Sequence, residues 1–178
     1  MTDHTVFPLD GGQVRYRLTT RPRIVHCCHC RWCQRESGAA FALNALIESE
    51  RVVHLRAEPE LLNTPSMSGA GQRIARRPQC RVALRSHYAG AGPILHFVRV
   101  GTLDAPERLP PDIHIFTASK QPWVVLPAGA TAVPEFYDPS EHWSAESLER
   151  RQAFLPQLRA YRAARAAEAA RSPPGPQS

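Results

Sequence analysis

The chain has 178 residues, of which 43% are hydrophobic and 21% are charged, and its formal net charge is +6. This size and composition predict one globular domain with a core of its own. No apolar run approaches the length of a transmembrane helix, and the start, Met1-Thr2-Asp3-His4, lacks the basic and then apolar character of a secretory signal. We therefore expect a protein of a reducing cytoplasm.

Short apolar segments between turn residues predict a mainly-β protein built from antiparallel strands. The alternation of Val14, Tyr16 and Leu18 with polar residues is typical of a half-buried strand after the Gly11-Gly12 turn. By the same reasoning, further strands are predicted at residues 40–53, 81–84, 94–100, 113–117 and 123–126.

The end of the chain has a helical pattern instead. Ser144 is a candidate N-cap for a helix that runs to Phe154. Pro156 is expected to begin a second helix rather than continue the first. The proline-rich end, residues 172–178, is predicted to be disordered.

The middle of the chain carries charge of one sign. Between Leu61 and Leu103 there is no Asp or Glu, but there are six arginines: Arg73, Arg76, Arg77, Arg81, Arg85 and Arg99. Such a stretch favours anionic partners, either a carboxylate-bearing small molecule or a phosphate backbone. The alternative is a solvated edge strand that charge protects. Because aromatic residues are few there, no single-stranded nucleic-acid platform is indicated.

Three cysteines within six residues form the motif Cys28-x-Cys30-x-x-Cys33. Thiolates at this spacing predict a zinc site, and three ligands leave the fourth position open, as in catalytic zinc sites. A Cys30–Cys33 redox dithiol is the alternative, but that motif normally begins a helix, whereas the flanking sequence here is typical of a strand. Inert thiols are a further alternative. Cys27 is expected to face away from the others, because neighbours on a strand point to opposite faces.

Several motifs in order resemble the glutathione-dependent formaldehyde-activating enzyme family, a resemblance that extends to the centromere protein V domain. These motifs, which cover roughly residues 7–127, are Gly12-Gln13-Val14-Arg15-Tyr16, Cys28 to Arg35 with Gly38 and Phe41, Pro65-Ser66-x-Ser68-Gly69, Gly101-Thr102-Leu103-Asp104-x-Pro106, His114 and Lys120-x-Pro122-Trp123.

The resemblance implies a β-tent zinc-binding domain of small antiparallel sheets at residues 7–127. A linker at 128–143 and a helical extension at 144–171 would follow. It also implies a carbon–sulfur lyase that joins formaldehyde and glutathione into S-(hydroxymethyl)glutathione. The zinc, one ion per chain, would be held by Cys28, Cys30 and Cys33.

The family's second, structural zinc site is degenerate in this chain. Leu9 and Gly11 stand where the resemblance implies a first cysteine pair, and the second pair survives only as Cys80. We expect that site to be empty, with Leu9 buried in place of a sulfur. Cys80 is predicted to be either a small buried hydrophobe or a fourth ligand of the remaining zinc.

Other residues have expected roles around that zinc. Arg31, Arg73 and Arg76 are candidates for binding the carboxylates of glutathione. His114 is either a proton shuttle, because its pKa is ordinarily near neutral, or a core histidine. His29 is expected beside the ligands or at the surface, and Trp123 is expected to anchor the core.

Two hypotheses about function follow. The first is a zinc-dependent lyase that acts on glutathione–aldehyde adducts. The second is a zinc-stabilised module that binds a partner through a basic face without catalysis. They differ at the fourth zinc position, where a protein ligand such as Cys80 would favour the module.

Overall fold

A computed structural model describes residues 4–5, 14–66 and 68–171 of the chain. The predicted Gly11-Gly12 turn, the predicted burial of Leu9 and the predicted disorder of residues 172–178 lie outside the described residues. The strands are β1 (His4–Thr5), β2 (Tyr16–Leu18), β3 (Ile24–Cys28), β4 (Ala42–Glu48), β5 (Val52–His54), β6 (Glu60–Thr64), β7 (Gln72–Arg76), β8 (Ala83–Tyr88), β9 (Leu95–Arg99) and β10 (Ile113–Ile115). The helices are α1 (Arg31–Ser37), α2 (Pro139–His142) and α3 (Ala145–Arg171).

The strands form two sheets. A seven-stranded sheet has the order β10-β3-β4-β9-β8-β7-β6, and a three-stranded sheet has the order β1-β2-β5. Neighbouring strands are antiparallel except β10 and β3, which are parallel. The prediction of a mainly-β fold with a C-terminal helix is confirmed.

Every residue of β3 is buried, because the strand lies between β10 and β4 and both of its faces are covered. Ile24 and Cys28 pack into one hydrophobic cluster, and Val25 packs into another on the opposite face. This alternation follows from the two-residue period of a strand. It explains why β3 has no exposed polar face.

Two strand predictions need correction. The predicted strand at residues 40–53 is interrupted by a 3-10 turn at Ser49–Arg51, so it becomes β4 and β5 in different sheets. Residues 123–126 are not a strand, because a turn forms there instead: the Val124 N–H donates to the Gln121 carbonyl at 3.1 Å. Trp123 is 71% exposed, so the prediction that it anchors the core is wrong.

A helix, α1, begins at Arg31 inside the cysteine motif, so the expectation that this segment is extended is wrong. Cys30 is the N-cap of α1, and its sulfur accepts a hydrogen bond from the Cys33 backbone N–H at 3.4 Å. Gly38 ends the helix in the left-handed conformation, with φ of 66°, that glycine adopts without strain. A seven-residue helix between two buried strands has too short an apolar pattern to be recognised by periodicity.

Helix α3 continues through Pro156, so the prediction of two separate helices is wrong. Proline removes one backbone N–H from the ladder, which leaves the Gln152 carbonyl without that donor. Because Gln152 and Pro156 are both exposed, water can solvate this carbonyl, and the helix persists. Within the described residues, no helix combines the length and apolar character needed to cross a membrane.

A buried ion cluster attaches α3 to the sheet. The Glu48 carboxylate, at the end of β4, accepts hydrogen bonds at 3.0 Å from both Arg23 and Arg150. The Arg23 guanidinium also lies 4.1 Å from the centre of the Phe154 ring. Burial alone would raise the pKa of Glu48, but the hydrogen bond from Arg150 and the two positive charges hold it below its usual value. The helix is therefore held by charge pairing as well as by apolar packing.

We expect Glu48→Gln to lower the free energy of unfolding by about 3 kcal/mol, because it leaves the buried Arg23 without its counter-charge. Urea denaturation at pH 7 measures this change. The folded pKa of Glu48 lies below its unfolded value of about 4.3, so the contribution is complete above that pH. It is lost as the pH falls through the folded pKa, and the two proteins should converge in stability there.

Glu146→Gln is the matched control. Glu146 lies 3.9 Å from Arg150, but its side chain is 80% exposed. We expect a change below about 1 kcal/mol, as is typical of surface ion pairs. Equal losses in the two variants would contradict the role assigned to the buried cluster.

Candidate metal centre

The three motif cysteines converge where β3 passes into α1. Cys28 is the last residue of β3, Cys30 caps α1 and Cys33 lies in its first turn. Their sulfur atoms all lie within 4.8 Å of one another, and all three residues are buried. The structure therefore brings together the three residues that the spacing predicted.

Hydrogen bonding among these thiols favours the loss of a proton. The Cys28 and Cys33 thiols donate to the Cys30 sulfur, which holds the pKa of Cys30 far below its usual range. The pKa of Cys28 is raised, because the same hydrogen bond and burial favour its protonated form. The cluster thus already stabilises one thiolate, the form that binds metals.

The donor set fits a zinc ion. Three thiolates in reach of one point are the soft ligands that zinc selects, and zinc imposes no geometry of its own. Among the described residues, no fourth His, Cys, Asp or Glu belongs to this group. Cys80 is exposed in the turn between β7 and β8, so the prediction that it is buried is wrong. The arrangement has the three-ligand form of a catalytic site.

A cavity of about 390 Å³ opens beside Cys28 and Cys30. This volume is within the range of about 300–1,000 Å³ that is typical of small-ligand sites. Its walls combine aromatic and polar side chains: His26, Trp32, Asn44, Ser66, Ser68, Gln72, Tyr88, Phe97, Ile115, Phe116 and Phe136. A ligand in this cavity would lie against two of the three sulfurs.

His26 is a cavity residue that the sequence reasoning missed. Its Nε2 lies 2.6 Å from the Tyr137 hydroxyl, which also accepts a hydrogen bond from Trp143 Nε1 at 2.9 Å. Burial lowers the pKa of His26 to about 4, so the ring is neutral at neutral pH. With Nε2 engaged by Tyr137, Nδ1 is the nitrogen left for a ligand. The position of His26 near the cysteine cluster could have been predicted from the two-residue period of β3, because His26 lies on the same face of the strand as Cys28.

Arg99 supplies positive charge at the cysteine cluster. It donates from Nη1 to Asn44 Oδ1 at 2.5 Å, and Asn44 lines the cavity. The hydrogen bond with Cys28 and the charge of Arg99 act to lower the pKa of Cys33, but the hydrogen bond with Cys30, burial and the Cys30 charge raise it overall, to about 11. A guanidinium here offsets the excess negative charge of three thiolates.

The predicted carboxylate-binding arginines lie in different places. Arg31 is exposed at the start of α1, where it donates to Gln34 at 3.0 Å. Arg76 forms an ion pair with Glu36. Arg73 is exposed and lines a second cavity of about 730 Å³, and Gln72 lines both cavities.

The arginine-rich stretch does not form one basic face. Arg77 and Arg85 are buried, and Arg81 forms an ion pair with Glu60. Burial of two of the six arginines and ion pairing of two others therefore leave less of the charge that the sequence suggested for a partner. This placement gives little support to a binding module that uses a basic face.

His114 and His29 lie away from the cysteine cluster. His29 is fully buried, so its predicted position at the surface is wrong. Its Nε2 lies 3.1 Å from His114 Nδ1 and 3.5 Å from Cys27 Sγ. Cys27 thus faces away from Cys28, as strand alternation predicts, and neither His29 nor His114 lines the 390 Å³ cavity.

One of three comparisons with known proteins shows the family of this chain. A crystal structure of a Rhodobacter sphaeroides protein, a structural-genomics target, shares 14% identity, with a TM-score of 0.40 over 56% of this chain and 87% of its own. A search of the curated proteins found no match. The family model described as glutathione-dependent formaldehyde-activating enzyme matches residues 10–119, which is more than half of the chain and includes all three cluster cysteines. The chain therefore belongs to the glutathione-dependent formaldehyde-activating enzyme family.

Proposed function

We propose that this protein is a zinc-dependent carbon–sulfur lyase that forms and cleaves S-(hydroxymethyl)glutathione or a related thiol–aldehyde adduct. The observation that supports it most directly is the ligand-sized cavity whose wall includes Cys28 and Cys30. Family membership supports glutathione and formaldehyde as the chemical class of the substrates.

Cys28, Cys30 and Cys33 would hold the zinc. When bound there, zinc supplies a Lewis acid that stabilises a sulfur as a thiolate at neutral pH. The positive charge of Arg99 would reduce the electrostatic repulsion among the three thiolates. The partly buried rings of Phe97 and Phe116 line the cavity and would reduce the access of water to the reacting atoms.

His26 is positioned to move the proton of the reaction. In the direction of cleavage, its Nδ1 accepts the proton from the adduct hydroxyl as that oxygen becomes the carbonyl oxygen of the aldehyde. The carbon–sulfur bond breaks at the same time, and its electron pair stays on the glutathione sulfur. In the direction of synthesis, the same nitrogen returns the proton. Tyr137 orients the ring through Nε2.

Arg73 would bind a carboxylate of glutathione. It lines the 730 Å³ cavity, and its neighbour on β7, Gln72, lines both cavities. Arg165 of α3 also lines the 730 Å³ cavity. Charge-assisted hydrogen bonds of this kind contribute about 1.5–3 kcal/mol each.

We expect Cys30→Ser to lose one equivalent of zinc per chain, because serine is a poor zinc ligand in place of a thiolate. Elemental analysis of protein purified under reducing conditions measures the loss. Cys80→Ser is the matched control, since Cys80 is exposed and outside the cluster. Equal zinc contents in wild type, Cys30→Ser and Cys80→Ser would contradict the assigned ligands.

We expect the zinc-loaded protein to accelerate exchange between formaldehyde, glutathione and their adduct above the spontaneous rate. Magnetisation-transfer NMR at equilibrium measures this exchange. His26→Gln should lower the enzymatic part of the rate by at least about 10²-fold, the usual contribution of a general base. His54→Gln, in the three-stranded sheet, should keep the wild-type rate. An exchange rate equal to the uncatalysed one would refute lyase activity.

We expect Arg73→Ala to raise KM for the glutathione adduct by about tenfold or more, while kcat stays near the wild-type value. The reason is that a carboxylate far from the reacting carbon contributes to binding alone. Arg31→Ala removes an exposed arginine outside both cavities and should leave KM unchanged. A KM that rises equally in both variants would point to a general charge effect instead.

A further inference from the structure

A second group of potential metal ligands lies on the opposite face of β3 from the motif cysteines. It consists of Cys27, His29 and His114, whose donor atoms all lie within 4.8 Å of one another. All three residues are buried, with 8% or less of each exposed. None of them takes part in the chemistry proposed for the first cluster.

Strand pairing brings these residues together. In the parallel ladder of β3 and β10, His114 is the register partner of Cys27. His29 follows β3 directly, and its backbone N–H donates to the Ile115 carbonyl at 3.0 Å. The rings of His29 and His114 stack with centroids 5.4 Å apart. The cluster is thus anchored by backbone hydrogen bonds on both strands.

Two of the three donor–donor distances match a tetrahedral site, and the third, between the donors of Cys27 and His114, is below 4.8 Å. Zinc bond lengths of about 2.3 Å to sulfur and about 2.0–2.1 Å to nitrogen give edges of about 3.6 Å between sulfur and nitrogen and about 3.3 Å between two nitrogens. The corresponding distances are 3.5 Å from Cys27 Sγ to His29 Nε2 and 3.1 Å from His29 Nε2 to His114 Nδ1. One ion can therefore reach these donors without a large rearrangement.

Hydrogen bonds within this cluster cannot pair all of its donor and acceptor atoms. Both Cys27 Sγ and His114 Nδ1 approach the same atom, His29 Nε2, which has either one proton or one lone pair to offer. The other ring nitrogen, His29 Nδ1, is buried without a hydrogen-bond partner among the described residues. A cation would replace the crowded contacts at Nε2 with three metal–ligand bonds.

The position of this cluster gives an ion a short route of entry. β10, which carries His114, is the edge strand of the seven-stranded sheet, so the cluster lies at the edge of that sheet. Phe41, which is 37% exposed, packs edge-on against His29 at 5.5 Å. Movement of this ring would admit an ion.

We propose that Cys27, His29 and His114 form a second zinc site with one sulfur and two nitrogen ligands. It lies back to back with the Cys28–Cys30–Cys33 cluster across β3 and does not depend on the function proposed for that cluster. A thiolate with two imidazoles is a donor set that zinc accepts, and three protein ligands leave one position for water.

The test is metal uptake by the full-length protein after removal of bound metal under reducing conditions. Cobalt(II) titration, followed by its visible d–d and near-ultraviolet thiolate absorption, measures the number and type of sites, and zinc displacement measures their occupancy. We expect two equivalents in the wild type and one in Cys30→Ser. Adding Cys27→Ser or His114→Gln to Cys30→Ser should abolish the remaining equivalent, whereas adding Cys80→Ser should leave it.

Circular dichroism and urea denaturation without metal show whether each variant is folded. A folded Cys30→Ser protein that takes up no cobalt would overturn the proposal. So would a remaining equivalent that survives both Cys27→Ser and His114→Gln in that background. A wild-type protein that takes up a single equivalent, lost in Cys30→Ser, would overturn the second site and leave the lyase proposal intact, so failure of the one is distinguishable from failure of the other.

Discussion

The two-residue alternation of side chains along β3 is the constraint on which both candidate metal sites depend. Because the strand is buried on both faces, Cys28 and His26 face the 390 Å³ cavity while Cys27 faces the opposite side. Two clusters of ligands therefore share one strand without sharing a donor atom. A shift of one residue in the register of β3 would move the side chains on each face of the strand to the opposite face.

The turn from β3 into α1 has both a structural and a chemical role. Cys30 caps the helix by accepting from the Cys33 backbone N–H, and the same sulfur receives hydrogen bonds from neighbouring thiols. The donors that stabilise the helix start also stabilise the Cys30 thiolate. The helix cap and the thiolate of the cluster therefore depend on the same sulfur atom.

Residues beyond the family match complete the cavity. The matched region ends at residue 119, yet Phe136 forms part of the wall and Tyr137 orients His26. The segment that carries them pairs with the edge strand, where the Val133 N–H donates to the His114 carbonyl at 2.9 Å. The predicted linker at residues 128–143 therefore includes residues that pack against the site, and the buried Glu48 pairs hold the helix that follows.

The sequence by itself determined the local features of this protein. It identified the cysteine triad, the opposite orientation of Cys27, the mainly-β class and the family, because spacing and alternation act over a few residues. Only the tertiary structure decided which distant residues meet. It placed His26 with Tyr137 and joined Cys27 and His29 to His114, because strand pairing across more than 80 residues leaves no local signal. It also exposed Trp123 and Cys80, since burial depends on what the rest of the chain covers.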